Sequence, residues 1–305
     1  MKNEHDYQQP MHPWPGLEPY QQTIQLSDQG LEVFAYEIGQ DKPFSLVMIH
    51  GLGDEADTWR HIIKPLSEDY HILAVDLPGF GRTNLPDEKL TPVFLLNILK
   101  SLLDKLGLEI VVLIGNSLGG ILAHAYSLRH PDQVIGLVLE GGALLQLDPM
   151  GDLNLRLMQI PFLGEWLYTR LRKDPQAAYD SLRNVYHHLD DMPKADREFL
   201  FRRVNQRVWS DKQRKAYFST LRNLGPWVRD HQTNLPEQLR DFGTPTLVIR
   251  GAFDQLFSEE NARGVARVQP NTTYCPICDA GHLPHQEKPA EFLKALQEWL
   301  VKTID

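Results

Sequence analysis

Between Ile110 and Pro131 the sequence reads IVVLIGNSLGGILAHAYSLRHP. A run of branched apolar residues with the character of a buried strand gives way, within six residues, to a run with helical spacing. The junction is Gly115-Asn116-Ser117-Leu118-Gly119-Gly120. A strand that feeds straight into a helix needs a tight turn with close backbone approach on both sides. A Cβ at Gly115 or Gly119 would clash with the neighbouring strand and helix, which is a reason for glycine at both. The serine between them sits on strained backbone, its side chain pushed out above the sheet edge. The helix that follows carries free N–H groups and a positive dipole end, so the Leu118 amide is expected to face a developing negative charge.

The rest of the chain repeats the strand–helix alternation. Residues 23–27 and 31–39 pattern as a hairpin around Asp28-Gln29-Gly30. Strands are predicted over 45–51, 70–79, 134–142, 245–251 and 271–278, and helices over 57–69, 91–107, 258–268 and 289–302. Thr91 and Pro92 open the second of these helices and Gly107 ends it, in the positions where capping residues belong. Such alternation implies an α/β fold: a mostly parallel central sheet with helices on both faces. Residues 146–240 break the rhythm with a helical pattern punctuated by Pro161, Pro175, Pro193 and Pro226. This stretch reads as a helical cap inserted between two strands of the main domain, 23–145 and 241–305, with 1–22 as an N-terminal arm. It holds 16 basic and 12 acidic residues, a net +4 against −13 for the remainder. Most of those charges are expected on a solvated face, though some could steer anionic substrates. Trp166, Tyr168, Trp209, Tyr217, Phe218 and Trp227 are candidates to line a pocket or to glue the cap together.

Charge and cysteine content exclude several function classes. A net charge of −9 argues against nucleic acid as a partner. The two cysteines, Cys275 and Cys278, make no disulfide framework and suit a reducing compartment. A strand would put them on opposite faces, so no metal site is expected there. No phosphate-cradling loop or dinucleotide fingerprint is present, and no cofactor is expected. The opening residues lack the apolar core of a secretory signal, and the long uncharged run at 110–128 changes periodicity midway and contains Asn116, Ser117 and His124. The expectation is a cytoplasmic protein with no membrane span, acting on a small molecule.

A serine hydroxyl is a poor nucleophile without a base, and the base needs an orienting acid. Twelve histidines are available, so position must choose. His282, in CDAGHLPHQEKP, follows the last predicted strand, and Asp254, in LVIRGAFDQLFS, follows the strand before it. Ser117, Asp254 and His282 thus all fall at strand carboxyl ends, where open parallel sheets bind ligands. Glu140, at the end of the strand after the elbow helix, is the rival acid. Asp76 reads as part of a structural turn, His50 as a loop-shaping residue, His124 as a packed or exposed helix residue, and His285 and Glu287 as capping groups.

The order serine, aspartate, histidine is that of hydrolases built on a nucleophile elbow. HGLGDEADTW from His50, DLPGFGRT from Asp76, GNSLGG from Gly115, RGAFD ending at Asp254 and GHLPHQEKP from Gly281 together resemble the α/β-hydrolase superfamily, over about Thr23 to Lys302. The resemblance implies the α/β-hydrolase fold with a helical cap, Ser117 as nucleophile, His282 as base and Asp254 as acid. It also implies that Leu52, after the His50-Gly51 pair, supplies a second oxyanion amide beside Leu118. A serine at the elbow, where some relatives carry aspartate, points to acyl transfer to water and so to a carboxylesterase. Asn116 is similar to a subgroup that cleaves carbon–carbon bonds in ring-fission diketo acids, although that subgroup usually has Trp where Leu283 follows His282. A ligand receptor that kept the fold is the alternative outside catalysis.

Overall fold

The computed structural model describes residues 7–145 and 153–304. Eight strands form one sheet: β1 (Gln21–Leu26), β2 (Leu31–Ile38), β3 (Ser45–Ile49), β4 (His71–Val75), β5 (Val111–Asn116), β6 (Val134–Glu140), β7 (Thr246–Gly251) and β8 (Thr272–Ile277). Their order is β1-β2-β4-β3-β5-β6-β7-β8. β1 and β2 pair antiparallel, as do β2 and β4, and every later pairing is parallel. From β3 the chain goes outward to β4 and then returns to the other side of β3 as β5. The order therefore reverses between β3 and β5, and such a switch opens a crevice at the strand carboxyl ends.

The strands are apolar on both faces because helices cover both. Val47, Ile49, Leu73, Val75, Leu113, Leu137 and Val248 point into one core. Their sequence neighbours Leu46, Met48, Ile72, Ala74, Val112, Val138 and Leu247 point into the other. This two-residue alternation is the pleat itself. Deleting one of these side chains, Leu113→Ala for instance, is expected to cost about 2–5 kcal/mol.

The main-domain helices are α1 (Ile63–Leu66), α2 (Pro92–Lys105), α3 (Leu118–Arg129), then, after the insertion, α10 (Glu259–Val268), α11 (Pro284–Glu287) and α12 (Pro289–Ile304). α2 keeps the caps expected of it: Thr91 accepts from the Phe94 amide at 3.1 Å and Gly107 follows the last turn at φ 66°. The single helix expected over 57–69 is not formed. A 3₁₀ turn at Ala56–Trp59 and the four-residue α1 stand in its place. Pro65 supplies no N–H to bond back to His61. Asp57 and Arg60 are buried and committed to tertiary ion pairs.

Between β6 and β7 lie only helices among the described residues: α4 (Leu153–Gln159), α5 (Leu163–Arg170), α6 (Pro175–Asp180), α7 (Lys194–Trp209), α8 (Asp211–Gln232) and α9 (Leu235–Arg240). The expected start of the insertion, 146–152, lies outside the described residues. α8 lays Ala216, Leu221, Leu224 and Val228 into the core of the main domain. A smaller core of its own, with Tyr179, Tyr186, Met192, Leu200 and Val204, forms around α6 and α7, and Leu283 from the loop before α11 completes it. No helix among the described residues is long and apolar enough to cross a membrane.

Candidate active site

The elbow is built as its glycines require. Ser117 has φ 53° and ψ −116°, a conformation that non-glycine residues rarely hold. A Cβ on Gly115 would overlap the backbone of Gly119, and one on Gly119 would overlap the carbonyl of Ile49 at the end of β3. The Ser117 amide donates to the Glu140 carbonyl at 2.7 Å, which ties the turn to β6. Leu118 is the first residue of α3, so its amide has no partner within the helix. Ser117 itself is partly exposed, although its flanks are buried.

Across the crevice, the chain leaves β3 through His50 and Gly51. A Cβ on Gly51 would lie 3.2 Å from the Ser117 Cβ, so the peptide leading to Leu52 runs beside the serine. The Asp54 amide donates to the Gly51 carbonyl at 3.2 Å and Gly53 adopts φ 79°, closing a tight turn with Leu52 at its apex. His50 shapes this turn as expected. Its Nε2 accepts from the Leu77 amide at 2.9 Å, which leaves Nδ1 to donate to the Gly51 carbonyl at 2.7 Å.

His282 and Asp254 meet. The His282 Nδ1 lies 2.9 Å from Asp254 Oδ2, and both side chains are buried. The other oxygen, Oδ1, accepts from the Leu256 and Phe257 amides at 2.8 and 3.0 Å. Burial opposes a charge on the imidazole, but the Asp254 carboxylate, by proximity and hydrogen bond, outweighs it and raises the His282 pKa. The ring and the serine rest on the same turn after β6. A Cβ on Gly141 would meet the His282 ring, and one on Gly142 would meet the Ser117 backbone. The main chain of His282 is held as well: its amide donates to the Val185 carbonyl at 2.8 Å, and its carbonyl accepts from Asn116 Nδ2 at 3.3 Å. Asn116 thus staples the histidine loop to the elbow.

Glu140, the rival acid, faces a different histidine. Its Oε1 accepts from the His285 amide at 3.1 Å and sits 2.7 Å from His285 Nδ1. His285 is wholly buried, with Nε2 2.9 Å from Thr58 Oγ1 and its ring 4.3 Å from that of Trp59. Neither His285 nor Glu287 caps a helix. Glu287 instead accepts from the Gly281, His187 and His188 amides and clamps the histidine loop to the insertion. Asp76 accepts from Ala56 and Arg82 and is structural, as its setting suggested. His124 lies buried inside α3, and loss of solvation pushes its pKa down to about 4.

A group of carboxylates at the β3 turn was not anticipated. Asp54, Glu55 and Asp57 follow Leu52 within five residues, and Glu55 and Asp57 are fully buried. Arg203 and Arg207 of α7 and Arg82 compensate them. The available signal was the pair of arginines four apart, a spacing that puts both on one helix face. Arg172, Arg183 and Arg222 of the insertion are likewise paired, with Asp211, Asp190 and Glu165. These arginines are therefore not free to steer an anion. Of the aromatic candidates, Phe218 is buried and packs on Tyr168 and Tyr217, Trp166 is exposed beneath Arg170, and Tyr217 lies against Gly53.

The described residues hold one cluster with metal-ligand spacing, His187, His188 and Asp279, whose ligand atoms lie within 4.8 Å of one another. His188 already has a carboxylate on each nitrogen, Asp279 at 2.7 Å and Asp191 at 3.2 Å, and Lys288 takes the second oxygen of Asp279. The group is an ion-pair cluster. Cys275 is partly buried near the end of β8 and Cys278 is exposed beyond it.

Comparison with known proteins agrees with this fold. The chain is 28% identical over 288 residues to a 2-hydroxy-6-oxo-6-(2'-aminophenyl)hexa-2,4-dienoic acid hydrolase of Metapseudomonas resinovorans, covering 90% of each chain. It is 26% identical to a pimeloyl-[acyl-carrier protein] methyl ester esterase of Legionella pneumophila, over 86% of this chain and 96% of that one. A thermophilic esterase from Thermogutta terrifontis shares the fold, with a TM-score of 0.74 at 22% identity over 93% of this chain and 99% of that one. The family profile of the alpha/beta hydrolase fold matches residues 45–289, from the start of β3 to the start of α12. With the elbow serine at the switch of the sheet and that match spanning most of its length, the chain belongs to the alpha/beta hydrolase family.

Proposed function

We propose that the protein is a serine hydrolase that cleaves carboxylic esters through an acyl-enzyme. Ser117 attacks the ester carbonyl while His282 Nε2 takes its proton. The Leu118 and Leu52 amides hold the oxyanion. His282 then protonates the leaving alcohol and activates the water that releases the acid. Asp254 keeps the imidazole in the tautomer whose Nε2 is free to accept. The observation that carries this reading is the buried His282–Asp254 contact of 2.9 Å beside a serine held at positive φ. Such backbone strain costs about 1–3 kcal/mol and is found at active sites and ligand clamps alike. It is therefore the buried His282–Asp254 pair, which a pure binder would not require, that favours catalysis over a ligand receptor.

In the same reading residues 146–240 form a cap over Ser117, residues 23–145 and 241–305 carry the chemistry, and 1–22 are an arm. The insertion leaves the carboxyl edge of the sheet after β6 and returns to the amino end of β7, and on the way its Tyr217 lies against the Gly53 turn that follows Leu52. A second reading, hydrolysis of a carbon–carbon bond in a dienoic acid, is favoured by the relative from Metapseudomonas resinovorans. Against it, Arg203 and Arg207 are already matched by Glu55, Asp54 and Asp57. At those two arginines a substrate carboxylate would have to displace a partner, whereas a neutral ester would not.

The test is turnover of a short p-nitrophenyl ester set against a vinylogous diketo acid, on wild type and Ser117→Ala. The ester should be preferred, and Ser117→Ala should lose turnover and fluorophosphonate labelling together. A labelled, active Ser117→Ala variant refutes the nucleophile assignment, and preference for the diketo acid moves the protein to the second reading.

A further inference from the structure

We infer that Arg207, seconded by Arg203, is a positioning residue for the oxyanion hole, so that the insertion helps to build the catalytic centre it covers. The inference rests on the ester-hydrolase reading above, because it assigns a role to the turn that carries the Leu52 amide.

Three carboxylates crowd that turn. Asp54, Glu55 and Asp57 lie within four residues, and their side chains are 14%, 0% and 0% exposed. Buried like charges so close together would repel one another and each would lose its hydration. Left alone, the turn would open toward water and take Leu52 with it. Two arginines on one face of α7 oppose this. Arg207 grips Glu55 in a fork, Nε to Oε2 and Nη2 to Oε1, each at 2.7 Å, and also donates to Asp54. Arg203, 2% exposed, lies 3.1 Å from Glu55 and 3.3 Å from Asp57. A planar guanidinium bound to both carboxylate oxygens fixes orientation as well as distance, which a point charge cannot do. The Arg207 charge also holds the Asp54 carboxyl below its ordinary range against the effect of burial.

The clamp reaches the serine by a short path. Asp54 closes the Gly51 turn through its own amide, and Gly51 lies against Ser117. A shift of Asp54 or Glu55 therefore moves the Leu52 amide relative to the position of the oxyanion. No substrate atom need touch Arg207. Tyr168 and α7 complete the support from the other side, since the Tyr168 hydroxyl donates to the Arg207 carbonyl at 3.4 Å.

The test uses Arg207→Gln, Arg207→Lys and the double variant Arg207→Gln/Glu55→Gln, each checked for folding by circular dichroism and thermal melting. The double variant removes both charges, so it stays informative if the lone Glu55 unfolds the single one. Steady-state kinetics on p-nitrophenyl acetate are measured beside inhibition by a trifluoromethyl ketone, which forms a tetrahedral adduct on the serine. Loss of a whole oxyanion donor costs about 10²–10³ in rate, so a displaced donor should cost about 10- to 100-fold in kcat. KM should stay near wild type, the ketone Ki should rise in parallel with the fall in kcat, and Arg207→Lys should recover part of both. A folded Arg207→Gln or double variant with wild-type kcat and wild-type Ki overturns the inference. So does a loss of kcat with unchanged Ki, which would mark a structural role only. Ser117→Ala keeps the two claims apart: if it is inactive while the Arg207 variants are not, the hydrolase reading stands and the clamp falls.

Discussion

Replacing Asp254 by asparagine separates the two candidate acids, because the backbone decides which way the new amide points. Asp254 Oδ1 accepts from the Leu256 and Phe257 amides, while Oδ2 faces His282 Nδ1. An asparagine must keep its carbonyl oxygen toward those two N–H groups. Its NH₂ group then faces His282, and Nδ1 has to become an acceptor. The proton moves to Nε2, the atom that takes the Ser117 proton in the proposed mechanism, and the imidazole is locked in the wrong tautomer for it. A loss of about 10⁴ in kcat is expected from such a change. Glu140 hydrogen-bonds His285 and reaches His282 only through its charge, so Glu140→Gln should leave kcat within about tenfold, its cost falling on stability through a buried, imperfectly paired amide.

The pH profile gives an independent readout of the same contact. In the proposed mechanism the base works only when neutral, so kcat/KM is expected to rise with pH through the His282 pKa. That pKa is raised, with the Asp254 carboxylate outweighing burial. The acid limb should therefore lie above that of free imidazole in wild type and move lower in Asp254→Asn, where burial acts without the carboxylate. The assay is kcat and kcat/KM for p-nitrophenyl acetate between pH 5 and 9 (an assay window chosen as roughly two units either side of a His pKa). Asp254→Asn within tenfold (about one pKa-equivalent of barrier) of wild type, or a larger loss in Glu140→Gln, refutes the argument and moves the acid to β6.

Two further perturbations test the core and the insertion. His124 has a folded pKa of about 4 against 6.5 ordinarily. The unfolded chain thus binds the proton first as pH falls, and stability is full above 6.5 and lost on the way down to about 4. His124→Leu should remove that slope, worth about 3 kcal/mol over the window; urea melts at several pH values with parallel wild-type and variant curves would sink this account. Tyr217 flanks the turn at Gly53 while Trp166 is 53% exposed. In a p-nitrophenyl series from acetate to laurate, Tyr217→Ala should move the acyl-length optimum to longer chains and Trp166→Ala should not; equal profiles for both variants would remove Tyr217 from the acyl pocket.

The elements that depend on neighbours in sequence were legible in the chain. The elbow could be read from Gly115 to Gly120 because tight strand–helix turns impose short-range steric rules. α2 could be read because Thr91, Pro92 and Gly107 act on the backbone beside them. Apolar runs announced the strands of a doubly covered sheet for the same reason. The positions of Ser117, His282 and Asp254 followed from where strands end.

Other features exist only once distant segments meet. The sequence offers Glu140 and Asp254 as equals in chemistry. The pairing of β6 with β7 and the path of the loop before α11 put one against His285 and the other against His282. The 57–69 helix gave way because Asp57 and Arg60 found partners 25 to 146 residues away. Asn116 and Leu283 look like turn residues until Asn116 reaches the His282 carbonyl and Leu283 enters the core of the insertion. Arg203 and Arg207 look like a solvated helix face until α7 docks on the β3 turn and its carboxylates. Local sterics act over a few residues and leave a pattern in the sequence. A buried ion pair depends on which two surfaces exclude water together, and only the tertiary packing of α7 against the β3 turn decided that.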